Sequence, residues 1–210
     1  MQPPTLEIKW IEEEKHKQIH QRMQALISQR ARTKASLEFY SEASILKEIR
    51  SEIMRLTSKI EKYQKTIEEH LTEDPNLKKK SQILQQVTGI GPAVSSTLLI
   101  TFPELGTLNG KQAAALAGLA PMNRDSGAMR GRRTIQAGRR KPRQALYMAA
   151  LTAAYRNPMF QPFYQDLKTR GKPTKVALCA VARKLLIHLN TLLKETSHPA
   201  PQKIISQHSC

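Results

Sequence analysis

Apolar positions recur at helical spacing along most of the 210-residue chain, and almost none alternate as a strand requires. Between residues 44 and 71, Leu46, Ile49, Ile53, Leu56, Ile60, Tyr63 and Ile67 follow steps of three and four, with Lys47, Glu48, Glu52 and Arg55 between them. That is a heptad seam of about four repeats. Residues 8–38 contain no Gly or Pro and predict an earlier helix carrying Ile19, Met23, Leu26 and Ile27. The pair reads as two long helices folding back, as a dimerising coiled coil, or as a single amphipathic helix on a second domain. The pattern does not choose. Pro75, after Glu73 and Asp74, is expected to end the segment, and Gly/Pro punctuation then separates helices at 81–87, 92–101, 110–118, 143–156, 159–169 and 174–194. The expected fold is all-α: a coiled-coil helical arm over 1–77, a compact helical domain over 78–195, and a frayed tail over 196–210.

Charge changes this picture because it is unevenly placed. The chain carries 34 Lys and Arg against 17 Asp and Glu, a net charge of +17. Residues 1–80 contribute +3 of this and residues 81–210 contribute +14. Such one-sided charge on a domain of ordinary apolar content suits a polyanion, since each cation placed at a phosphate releases counterions. Nucleic acid is the leading partner; a basic surface kept for solubility and an acidic membrane surface are the weaker readings. Aromatics at 5% argue against a large aromatic-walled pocket. No apolar run is expected to reach the roughly 18 residues of a membrane helix, and residues 1–10 lack a leader pattern, so no membrane partner and a cytoplasmic location are expected. Cys179 and Cys210 are too few for a disulfide framework or a thiolate zinc site. Cys179, on the stripe Val176, Val181, Leu185, Leu189 and Leu192, is expected to be buried and inert. His16, His20 and His188 have no ligand-like partners, and no metal site or cofactor is expected in the chain.

Two stretches carry candidate chemistry. The first, Leu84 to Leu99, joins two apolar-faced helices through Thr88-Gly89-Ile90-Gly91-Pro92. Gly89 and Gly91 are expected to adopt backbone angles closed to other residues and to let the main chain approach a phosphate, while Ile90 plugs the helix pair from inside. Pro92 suits the first position of a helix whose free N–H groups point at an anion. This resembles the helix-hairpin-helix motif, which grips DNA backbone without reading bases; a hairpin that merely turns the chain remains the alternative. A dinucleotide fingerprint is excluded, because no strand precedes the glycines and the third glycine is missing.

The second stretch, residues 123–143, holds seven Arg, one Lys and one Asp. Arg124, Arg130, Arg132, Arg133, Arg139, Arg140 and Lys141 are candidate phosphate ligands, because guanidinium forks hold phosphate oxygens in pairs. Ser126, between Asp125 and Gly127, is the candidate nucleophile, whose attack on phosphorus such cations would assist. Asp-Ser-Gly is equally an ordinary turn sequence, and no His lies nearby as a base.

Taken together, Thr88 to Pro92, Ala114 to Pro121, Asn123 to Gly127, Arg130 to Arg133, Arg143 to Ala150, Asn157-Pro158, Phe163-Tyr164 and Arg170 to Pro173 look like one known domain. The stretch resembles the C-terminal transposase domain of the IS-one-ten insertion-sequence transposases, which are related to the Piv invertase. The heptad region is similar to the coiled-coil segment of those proteins. The resemblance implies that Ser126 forms a covalent link to DNA, and that the coiled coil makes a homo-oligomer. It also implies a structured guide RNA and a RuvC-like half whose four acidic residues bind Mg2+. Glu12, Glu13 and Glu14 face different sides of a helix and do not make such a quartet, so the expectation is a transposase fragment lacking that half, with Mg2+ belonging only to the missing part. A non-catalytic nucleic-acid-binding adaptor is the alternative.

Overall fold

The computed structural model describes residues 5–120 and 137–197, with side chains placed from residue 14. They form α1 (Thr5–Ala35), α2 (Ala43–Glu73), α3 (Pro75–Gln85), α4 (Pro92–Thr101), α5 (Gly110–Leu116), α6 (Arg140–Arg156), α7 (Gln161–Thr169) and α8 (Thr174–Ser197). No strand occurs among the described residues, and the fold class is all-α. The chain divides into two compact units, 1–85 with 91–103, and 86–90 with 104–210. By their contacts α3 and α4 belong with the long helices.

In the first unit α1 folds back on α2 through the short 3-10 turn Ser36–Phe39, the first of the three arrangements that the pattern left open. The seam buries Leu56, Ile60, Ile67 and Leu71 of α2 and Met23 and Leu26 of α1, each worth roughly 1.5–3 kcal/mol when taken from water. Leu46, Ile49, Ile53 and Tyr63 are only half-buried, so the seam is driest away from the α1–α2 connection. Pro75 does more than end α2. It opens α3, and the Asp74 carboxylate accepts hydrogen bonds from the backbone N–H groups of Asn76 at 2.8 Å and Leu77 at 3.3 Å, capping the new helix. Lys78, Lys79 and Lys80 therefore lie on a helix. α4 packs on α1, α2 and α3, and Ser95 through Ile100 are all buried. Burying hydroxyls demands partners: Thr97 meets the buried His20 ring at 3.1 Å, and Ser95 meets Ser81 at 3.0 Å.

The second unit is organised on α8, which packs against α5, α6 and α7. Its buried face is Ala177, Leu178, Val181, Ala182, Leu185, Leu186, Leu189, Asn190 and Leu193, the three-and-four spacing of one apolar stripe. α6 answers with Leu146, Ala149, Ala150, Ala153 and Ala154, whose small side chains let the two backbones come close. Asn109 starts α5 with a reciprocal box: its side chain accepts from the Gln112 N–H at 2.9 Å, and Gln112 accepts from the Asn109 N–H at 3.1 Å. Over Thr174–Thr196, α8 is long and apolar enough to cross a membrane by length and composition, contrary to the expectation that no such run exists. Half of that window is buried inside the protein, which is what a core helix requires of its sequence.

Candidate nucleic-acid interface

The turn between α3 and α4 is built on one glycine. Gly89 has φ of +108°, and a Cβ there would lie 3.0 Å from the Ala149 carbonyl oxygen and 3.3 Å from the Ala153 side chain. Both the angle and the space exclude other residues. The turn is closed by the Ile90 N–H donating to the Val87 carbonyl at 2.9 Å, and it is tied to the end of α6 by the Asn157 amide donating to the Thr88 carbonyl at 3.1 Å. Ile90 is buried, as a plug should be. Gly91 corrects the sequence expectation: its φ of -92° and ψ of 177° are ordinary extended backbone, and a Cβ there would meet nothing within 4 Å. What Gly91 provides is access. Gly91, Pro92 and Ala93 are exposed, and α4 starts without a side-chain cap. Beside Pro92 lies a cleft of about 200 Å³ whose lining includes Lys78, Ser81, Gln82 and Gln85.

The basic residues that open α6 run against the helix dipole. Arg139 is the N-cap, Arg140, Lys141 and Arg143 follow in the first turn and a half, and no acidic residue is present in the first turn. The N-terminal end of a helix carries partial positive charge, so clustered cations there are unfavourable unless an anion joins them. Arg140 is exposed and Lys141 half-buried. Arg139 is engaged differently, with both of its terminal nitrogens donating to the Glu104 carboxylate at 2.7 Å. That bond, more than charge attraction at a distance, holds the Glu104 carboxyl below the ordinary glutamate range and the Arg139 guanidinium above its own. The stabilisation this gives is complete at neutral pH and is lost as the pH falls through the depressed Glu104 pKa. Ser126, Arg124, Arg130, Arg132 and Arg133 lie outside the described residues.

The remaining candidates are structural. Cys179 is half-buried, not fully buried, and desolvation pushes its thiol up, opposed by the nearby Arg143 charge. A protonated thiol is a poor nucleophile. His188 meets the Phe160 ring edge-on at 6.0 Å, and His16 faces His70 at 4.9 Å. Among the described residues no three His, Cys, Asp or Glu side chains are grouped to hold a metal ion. Sequence reasoning missed Glu104 and Asn190, and took Asn157 only as part of the Asn157-Pro158 motif, without its bond to Thr88. Each is a lone polar residue whose partners lie far along the chain, and local pattern carries no sign of that.

The family model described as "Transposase IS116/IS110/IS902 family" matches residues 81–165. Residues 81–165 are thus similar to that family. The matched segment runs from α3 into α7 and takes in the Gly89 turn, Ser126 and the basic start of α6. The pilin gene-inverting protein of Moraxella bovis is 32% identical over 116 residues, covering 53% of this chain and 36% of that protein. The insertion element IS900 uncharacterized 42 kDa protein of Mycobacterium paratuberculosis is 28% identical over 165 residues, 75% of this chain and 40% of its own length. The insertion element IS110 uncharacterized 43.6 kDa protein of Streptomyces coelicolor is 28% identical over 122 residues, covering 55% and 29%. The chain therefore spans 29–40% of these relatives' lengths.

Proposed function

We propose that this chain binds DNA in insertion-sequence transposition or related recombination, with its transposase segment presenting a phosphate to Ser126. The observation that carries the reading is the family match over 81–165, which joins the hairpin and the arginine-rich stretch in one segment. The hairpin acts as a helix-hairpin-helix, holding backbone phosphate at the open start of α4. Within the second unit, Gly89 rests on α6 at Ala149.

In the proposed reaction the Ser126 Oγ attacks the scissile phosphorus, forming a phosphoserine ester. The bond from phosphorus to the 3′ oxygen breaks, the serine proton is lost to a base, and the leaving oxygen is protonated to a 3′ hydroxyl. Guanidinium groups stabilise the charge that develops on the phosphoryl oxygens. The resemblance assigns magnesium to a RuvC-like half supplied by another chain, and this chain's own part is phosphate binding and the serine. A structured guide RNA, a homo-oligomer formed through the long helices and a cytoplasmic location belong to the same proposal.

The test mixes the chain, or its Ser126→Ala variant, with nicked duplex, magnesium and a RuvC-like half from a relative, and reads covalent protein–DNA adduct on a denaturing gel. An adduct lost in Ser126→Ala, with duplex binding changed less than about twofold, supports the serine reading. Salt-sensitive binding with no adduct in either protein leaves the non-catalytic adaptor.

A further inference from the structure

We infer that Glu104, Arg139 and Arg143 form a clasp that holds the chain at Gly118 against the chain at Gly138, on either side of the arginine-rich stretch, and that Arg139 is a positioning residue, not a phosphate ligand. The inference rests on the proposed role of that stretch. Its geometry lies wholly in the second unit. Gly118 and Gly138 sit so close that a Cβ on Gly138 would strike the Gly118 backbone, and a Cβ on Gly118 would strike the Ala137 carbonyl. Both glycines have positive φ, +65° and +85°. The chain therefore leaves at Gly118 and returns at Gly138 to a single point.

Three further contacts lock that point. The Arg139 N–H donates to the Leu116 carbonyl at 2.8 Å, joining the returning chain to the end of α5. One terminal nitrogen of Arg143 donates to the Ala137 carbonyl at 3.2 Å and reaches the Gly118 carbonyl at 3.5 Å, so one guanidinium bridges the outgoing and returning backbones. The Glu104 carboxylate takes both forks of Arg139 at 2.7 Å, the geometry in which a phosphate would otherwise be held. With its fork on Glu104, Arg139 is committed to orientation. Arg140, one residue on and exposed, is left to face the anion. Misplacing a reacting group by about 1 Å costs on the order of a hundredfold in rate, so holding Gly118 against Gly138 matters for a serine eight residues on in sequence.

The experiment compares the full chain with Glu104→Gln and with the charge-swapped Glu104→Arg/Arg139→Glu pair, which keeps the net charge. Two readouts are taken: tryptic cleavage at Arg124, Arg130, Arg132 and Arg133, with the thermal midpoint as a folding control, and Ser126-dependent adduct formation at saturating DNA beside the duplex Kd. Expected for Glu104→Gln are cleavage faster by about tenfold and adduct formation slower by about tenfold, with a midpoint lowered only slightly, as the loss of one partly exposed ion pair requires, and a Kd unchanged or slightly tighter. The swapped pair should recover most of both losses. Wild-type cleavage in Glu104→Gln, or failure of the swap to restore it, overturns the clasp. A Kd weakened in the swapped pair, where position 139 carries a carboxylate, but not in Glu104→Gln, makes Arg139 a DNA ligand and overturns its assignment. If the wild-type chain forms no adduct, the serine reading fails by itself, and the tryptic comparison still decides the clasp.

Discussion

Replacing Asn190 by leucine removes two hydrogen bonds at once: the one accepted from the Gly106 N–H at 2.9 Å and the one donated to the Leu108 carbonyl at 2.7 Å. Both backbone groups lose their partner, at about 1–3 kcal/mol for each that stays buried, and urea unfolding should show it as a lower midpoint with an unchanged slope. The two hairpin glycines separate stability from binding. Gly89→Ala meets a left-handed φ and the Ala149 carbonyl, and should destabilise by at least about 1 kcal/mol. Gly91→Ala has ordinary angles and open space, so thermal stability should hold while duplex Kd weakens, because a methyl group now stands where phosphate approaches. Gly91→Ala binding DNA as the wild type does would sink the hairpin's assigned role.

Among elements, α2 shows how far a heptad pattern reaches. The steps of three and four place Leu56, Ile60 and Ile67 in the dry seam with α1, yet the same rule applied near the connection gives half-buried Leu46 and Ile49. Phe39 at 81% exposure, Tyr40, Ile45 and Met54 at 71% cluster in sequence at that same end. If copies of the chain associate through these helices, a Phe39→Ser/Met54→Lys variant should sediment as monomer at concentrations where the wild type does not. An unchanged mass for both proteins would place any self-association elsewhere. α6 carries the opposite lesson: its apolar side was legible, but its start, three residues earlier than expected, was hidden because cations are poor helix-initiating residues.

For the whole molecule, the +14 of residues 81–210 predicts DNA affinity that falls linearly in log salt. Changing Arg140 and Lys141 together to alanine should reduce that slope by about 2, whereas Arg139→Ala, its charge already paired with Glu104, should change the slope by well under 1. Equal losses from all three positions would mean that the ion pair opens on DNA. The sequence by itself determined the helical class, most of the helix spans, the basic half and the resemblance over 81–165, because periodicity, charge and motif are local properties of the chain. Only the tertiary structure decided that α1 folds back on α2, that α3 and α4 join them, that Gly91 is unstrained, and that Arg139 belongs to Glu104. These depend on how the chain turns and on which residues distant along it come into contact, and a lone Glu or Asn has no pattern along the chain to announce its partner.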